Sequence, residues 1–460
     1  MKHDFLPLKK RLKQLVLPLF IENGLAMTIG ISGTIMIANY DNNAASAIGV
    51  TNMVIGFFHL MFMIISVGTG IIVAQYVGAK MWKQVSTTTA MSLVVNFVGG
   101  FIGSLVIFFF APDILKLVGL RNDLLASGLT YIRIVALSTT FQAMSFSISA
   151  VIRSYGYTSL GMKIAIIPNI VNISLNYLFI YGFPQLGITS LGVLGVGISA
   201  AISQTIGFSI FFLILTKKID RSLSLQLLRP FPKQILKDIL KIGVPSTGEN
   251  ISYQVSQIVV AGFITTIGVV ALNTRTYYAN IAMFIYLITV AFTQATAVMV
   301  GNLMGEGRAG EAYQVSIYSF KISITSSLVV NILFVLFIVP LISMFTTNPE
   351  IIALAKWIVI VDIGVEMGRA SGVVFSNSLK ASGDVRFPVY LNVIVTWTMV
   401  VPLAYFLGIV LGFGLIGVWA AFAFDELLRG TLLFLRWRSR KWTTKAFINR
   451  DKVVPLLEAN

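Results

Sequence analysis

Pro245-Ser-Thr-Gly-Glu-Asn250 stands at the mouth of a long apolar run, and Pro18-Leu-Phe-Ile-Glu-Asn23 stands at the mouth of another near the start of the chain. The prolines are 245−18 = 227 positions apart, and the glutamates 249−22 = 227. The same interval links Gly78, in Val73-Ala-Gln-Tyr-Val-Gly-Ala-Lys80, to Gly305, in Val300-Gly-Asn-Leu-Met-Gly-Glu-Gly307. It also links Arg153 and Gly156 to Lys380 and Gly383. One interval recurring at such distant motifs marks an internal duplication. The chain is one half-protein written twice.

Composition says where such a chain lives. It is 56% hydrophobic and 11% charged, whereas a soluble domain carries about 25% charged residues. The apolar runs, at ~20 residues each, are long enough to cross a bilayer. A transmembrane barrel would instead show alternating segments of ~10 residues, and none is present. The expected fold class is an all-α membrane protein. With no cysteine, disulfides, thiolate metal sites and a Cys nucleophile are excluded. The net charge of +16 sits in short loops at one end of the helices, so it reports topology rather than nucleic acid. Residues 1–14 are basic, but the following apolar run is too long for a signal peptide and lacks a cleavage pattern, so it reads as an uncleaved first span.

Twelve spans are predicted at 15–38, 48–74, 85–110, 127–151, 160–181, 190–216, 242–266, 274–302, 313–343, 351–378, 387–411 and 414–436. Of the 34 Lys and Arg, 26 fall in the terminal segments and in the loops and span edges on the same side, whereas Lys116, Arg121, Arg275 and Lys356 fall opposite. The positive-inside rule then makes both termini cytoplasmic. Residues 1–216 form the first six-helix lobe, 217–241 a basic cytoplasmic linker containing Arg229-Pro-Phe-Pro232, 242–436 the second lobe and 437–460 a cytoplasmic tail. Each lobe has an even number of spans, so the repeats are parallel. Transporters built this way bind substrate near the midplane, between the halves.

These motifs resemble the MATE (multidrug and toxic compound extrusion) family, within the multidrug/oligosaccharidyl-lipid/polysaccharide flippase superfamily. The resemblance covers essentially the whole chain. It rests on Val73-Ala-Gln-x-x-Gly-Ala79, Val300-Gly-Asn-x-x-Gly305, Ser378-Leu-Lys-Ala-Ser-Gly383, the two Pro-x-x-x-Glu-Asn stretches and Ala271-Leu-Asn-Thr-Arg-Thr-Tyr277. It implies a V-shaped pair of lobes in a bacterial cell membrane, exporting organic cations or other amphipaths in exchange for Na⁺ or H⁺. Two positions depart from the family pattern. The span-1 aspartate that binds the coupling ion is replaced by Gly33, in Ser32-Gly33-Thr34, and the span-10 acid falls on or near Arg369.

Ionisable groups inside a bilayer cost ~2.5–3.5 kcal/mol each on insertion scales and are functional candidates by default. Span 10 is richest, with Asp362, Glu366 and Arg369 within two turns. Glu366 and Arg369 are spaced i, i+3 and can pair on one helix face. The pair either exchanges a proton or Na⁺ as its partners change, or stays neutralised and only lowers the burial cost. Span 7 carries two polar stripes, Glu249/Tyr253/Ser256 and Asn250/Gln254/Gln257, which cannot face lipid without leaving groups unsatisfied. Glu249, eight residues beyond Lys241, sits roughly 12 Å in at ~1.5 Å per residue. With Glu22 it is either a symmetric gate or ion site, or an anchor to the basic loops. Asn169, Asn172 and Asn176 of span 5 face substrate or serve as interhelical glue. His59 could take a proton near neutral pH, but a lone His is more often a packing residue. Gly99-x-x-x-Gly103, Gly301-x-x-x-Gly305 and Gly364-x-x-x-Gly368 allow close helix approach.

No G-x-x-x-x-G-K-[ST] loop, G-x-S-x-G elbow or H-E-x-x-H exists in the chain, so ATP hydrolysis by that loop and the commoner hydrolytic chemistries are excluded. The chain is expected to be no enzyme, to need no cofactor and no metal, and to work as a monomer on small amphipathic or cationic molecules. The expectation is a secondary active exporter working by alternating access. A lipid-linked oligosaccharide flippase is the second reading and a membrane-embedded enzyme the third.

Overall fold

The computed structural model describes residues 6–183, 187 and 189–448. Residues 1–5 and 449–460, assigned above to the first lobe and the tail, lie outside the described residues. Twelve long helices follow one another: α1 Leu6–Tyr40, α2 Asn42–Gly78, α3 Trp82–Leu117, α4 Leu125–Ser154, α5 Thr158–Tyr181, α6 Val193–Ile214, α7 Lys233–Ile267, α8 Val269–Glu306, α9 Ala309–Ser343, α10 Pro349–Ser382, α11 Arg386–Val410 and α12 Gly414–Arg438. The expected all-α membrane architecture is thus the observed one. In hydrocarbon every backbone N–H and C=O must be satisfied within its own segment, so apolar runs of this length form helices. The spans predicted at 190–216 and 387–411 overrun α6 and α11 by one to three residues. Conversely, α7 starts at Lys233, so residues 233–241, read as linker, are helical.

Among the described residues, nine of these helices are long and apolar enough to cross a membrane by composition alone. The long helices outside that set are α7, α10 and α12. α10 and α12 carry the Asp362–Arg369 and Asp425–Arg429 groups, α7 carries the amides Asn250, Gln254 and Gln257 beyond Glu249, and that polarity is why they fall short.

Boundaries follow local chemistry. Asp41 caps α2, its carboxylate accepting from the N–H groups of Asn43 (2.8 Å) and Ala44 (3.2 Å). Gly156 and Gly383, related by the repeat, end α4 and α10 with φ of +86° and +104°. Only glycine adopts that left-handed conformation without a steric cost. In α11 two π-helical stretches, 396–400 and 406–410, flank Pro402, which has no N–H to donate to the carbonyl four residues back.

The chain forms two compact units, residues 21–247 and residues up to 20 together with those from 248. Both boundaries fall inside helices, α1 and α7, at positions 247−20 = 227 apart. Within the 21–247 unit the first part of α7 lies on α2 in backbone contact: a Cβ on Gly68 would strike the Ile239 carbonyl, and one on Gly243 the Ile64 carbonyl. Within the other unit the first part of α1 buries Leu8, Leu12, Leu15 and Leu19 among Ala291, Ala295 and Met299 of α8. The same exchange of helix starts is therefore built by glycine contact in one unit and by leucine packing in the other.

Candidate functional site

Glu366 stands 17 residues from the start of α10 and 16 from its end, and Glu426 stands 12 from either end of α12. At ~1.5 Å per residue, both are ~18 Å or more from the helix ends, the level of the middle of a bilayer. The two helices meet through small residues. A Cβ on Gly368 would strike the backbone of Glu426 and Leu427, and one on Gly430 the Ser371 hydroxyl, while Gly364 faces Ala423. The Gly364-x-x-x-Gly368 motif thus has its partner, and it is α12.

That contact assembles the charged side chains. Arg369 donates to Glu366 on its own helix and lies 3.6 Å from Glu426 across the interface. Glu426 in turn meets Arg429 at 3.1 Å, and Arg429 meets Asp425 at 2.5 Å. The result is a chain of alternating sign, Glu366–Arg369–Glu426–Arg429–Asp425. Asp362, one turn before Glu366, stands beside it and accepts from the indole N–H of Trp419 at 3.1 Å. Glu366 is 0% exposed, Asp362 3% and Asp425 4%. Each has one carboxylate oxygen with no hydrogen-bond partner among the described residues. The rim is aromatic: the Arg369 guanidinium lies over the Tyr286 ring at 5.9 Å, Tyr278 packs edge-on against Trp419, and Tyr253 is within electrostatic range of Arg369 and Glu426.

Among the described residues, the other half has no such group. At the repeat interval, Asp362, Glu366 and Arg369 correspond to Val135, Thr139 and Gln142, and α6 carries no charged residue. The position of the family's span-1 acid is likewise neutral. A Cβ on Gly33 would lie 3.5 Å from the Asn176 amide nitrogen. Asn176 donates to Asn172 at 3.0 Å, and Asn172 donates to Ser203 at 3.2 Å. The asparagines of α5 therefore form an amide ladder within the 21–247 unit.

The remaining sequence candidates scatter. Glu249 is outside the α10/α12 group: its carboxylate meets Lys380 of α10 at 2.7 Å and accepts from Asn392 of α11 at 2.7 Å. Glu22 meets Arg153 of α4 at 3.8 Å, with Ser149 donating at 3.3 Å. Of the span-7 stripes, Gln257 accepts from Arg275 at 3.3 Å, and Asn250 is exposed. His59 is half-buried, edge-on to Phe146. Sequence reading missed Asp425, Glu426 and Arg429. The rule that singled out span 10, ionisable groups inside an apolar segment, would have found them in span 12.

Fold and site together describe a duplicated, polytopic membrane transporter with a buried ionic group in its second half. A MatE family model matches residues 18–178 and again 245–406, and the chain belongs to that family, the MATE transporters. It is 37% identical over 428 residues to the "Uncharacterized transporter YisQ" of Bacillus subtilis (strain 168), covering 93% of this chain and 94% of that one. It is 25% identical over 458 residues to the "Probable multidrug resistance protein NorM" of Thermotoga maritima, covering 99% and 97%. A solved structure described as the outward-facing conformation of a multidrug resistance MATE family transporter of the MOP superfamily matches the fold. Its TM-score is 0.85 at 20% identity, over 94% of this chain and 95% of that one. These relatives are transporters, not enzymes.

Proposed function

We propose that the protein is a secondary active exporter of cationic amphipaths in the cell membrane, termini cytoplasmic, driven by inward H⁺ or Na⁺ and coupled through the ionic chain of α10 and α12. The observation that carries the reading is that chain, with orphaned carboxylate oxygens at the middle of two helices and nothing ionisable at the repeat-related positions of α4. Unbalanced charge in a low-dielectric interior is costly, so a carboxylate there either takes up a cation or changes partners. Either event shifts Arg369 and Glu426, and so shifts α10 against α12. Tyr253 and Tyr286 offer aromatic faces to a cationic substrate at the rim of the same group. Glu22 and Glu249, each held by a basic residue of α4 or α10, act in this reading as gate pairs rather than ion sites. An excess of carboxylates also opposes the flippase alternative, whose pyrophosphate headgroup would need positive charge.

The test is ethidium efflux from proteoliposomes under an imposed pH or Na⁺ jump, wild type beside Glu366→Gln. Efflux that follows one gradient and is lost in the variant supports coupling through this group. Gradient-driven efflux that survives the substitution moves coupling elsewhere, and no efflux under either gradient rejects the exporter.

A further inference from the structure

Six charges, five of them buried and Arg369 half-buried, meet at α10 and α12, and they do not cancel. Asp362, Glu366, Asp425 and Glu426 are four carboxylates, while Arg369 and Arg429 are two guanidinium groups. The groups that face them from neighbouring helices are Tyr253 of α7 and Tyr278 and Tyr286 of α8, with Trp419 from α12 itself. None of these brings positive charge. The charged residues of α9 are Glu311, in its first turn, and Lys321, and the single charged residue of α11 is Arg386, at its first position.

The excess divides between the alternating chain and Asp362, one turn from the chain's Glu366 end. Within the alternating chain, three carboxylates share two guanidinium groups, which leaves one negative charge over a run that ends in the free oxygens of Glu366 and Asp425. Asp362 accepts from the Trp419 indole and, among the described residues, has no guanidinium within ion-pair distance, Arg369 acting on it from one step further off. Its second oxygen faces the hydroxyl of Tyr278, which is fully buried, and neither atom has another partner among the described residues. Among the described residues, no three of these carboxylates converge as a metal cage requires. The geometry therefore favours two monovalent cations at two places over one divalent ion.

We infer that each transport cycle exchanges two monovalent cations, one at Asp362 and one within the chain from Glu366 to Asp425, so that α12 carries half of the coupling site. The inference rests on the antiport reading above. Two cations entering for one monocation leaving moves one net positive charge inward, whereas one-for-one exchange moves none.

Voltage distinguishes the cases. Proteoliposomes holding the full chain with its cytoplasmic side inward, at equal pH and Na⁺ across the membrane, are loaded with ethidium and given an inside-negative potassium diffusion potential. Two-for-one exchange drives ethidium outward, with the steady-state ratio changing about tenfold per ~59 mV. Asp362→Asn is expected to convert the exchange to one-for-one, still answering an ion gradient but no longer the potential. If Asp362→Asn fails to insert, the wild-type voltage response decides alone. Gradient-driven efflux in wild type that ignores the potential overturns the two-cation inference and leaves antiport standing. Ethidium drawn inward by the potential, or no flux under any gradient, overturns antiport itself.

Discussion

Glu249 and Lys380 meet at 2.7 Å in one unit, and Glu22 and Arg153, each 227 positions earlier, meet at 3.8 Å in the other. The duplication has preserved an ion pair while loosening one copy. The reason lies in the next helix. Asn392 of α11 donates to Glu249, but position 165, its equivalent in α5, is an alanine. In α5 Gly161 lies against Glu22 instead, where a Cβ would lie 2.9 Å from the carboxylate.

The tight pair is expected to matter more for stability than the loose one. Removing one partner of a buried pair costs about 3–5 kcal/mol, so Lys380→Met should lower the unfolding temperature of the purified protein clearly. Arg153→Met should lower it less. A thermal-shift series over both variants checks this, and equal losses would contradict the asymmetry.

Among the described residues, Arg429 is the one guanidinium in contact with Asp425, at 2.5 Å. Arg429→Met therefore strands a buried carboxylate, at a cost of about 3–5 kcal/mol. The double change Asp425→Leu with Arg429→Met removes the stranded charge and should recover much of the folded yield without recovering transport. Yield by size-exclusion chromatography and ethidium efflux measure the two separately.

Gly368 and Gly262 give a paired steric test. Gly368→Ala pushes a methyl into the Glu426 backbone, whereas Gly262→Ala meets nothing within 4 Å. Overpacking of this kind costs about 1–3 kcal/mol and here would also spread α10 from α12. Efflux should fall at least tenfold in Gly368→Ala and stay near wild type in Gly262→Ala. Normal efflux from both would mean that the interface tolerates separation.

Gly33→Asp introduces a carboxylate whose Cβ, among the described residues, has the Asn176 amide as its one close neighbour, at 3.5 Å. The space and the donor are both present, so the variant is expected to fold with an unfolding temperature within a few degrees of wild type. Gly33→Leu, of similar size but unable to accept from the amide, should lose more. Thermal shifts that reverse this order would show that the amide ladder does not accept a carboxylate.

How much of this was legible beforehand depends on distance along the chain. Helix number, the duplication and the Glu366–Arg369 pair follow from local spacing, since residues three or four apart on a helix are neighbours whatever else the chain does. The sequence even named both members of each glutamate–basic pair as repeat positions, but nothing in it said they touch, because Glu249 and Lys380 lie on different helices. The span-12 charges were legible and unread.

By itself, then, the sequence determined a twice-written helical membrane protein with an ionic pair at the centre of its tenth helix. The tertiary structure alone decided that this pair extends through Glu426 to Arg429 and Asp425, and that Glu249 is bound elsewhere. Helix periodicity settles which face a side chain occupies. Which faces meet is settled by where backbones can approach, and here Gly368 and Gly430 bring α10 and α12 into contact.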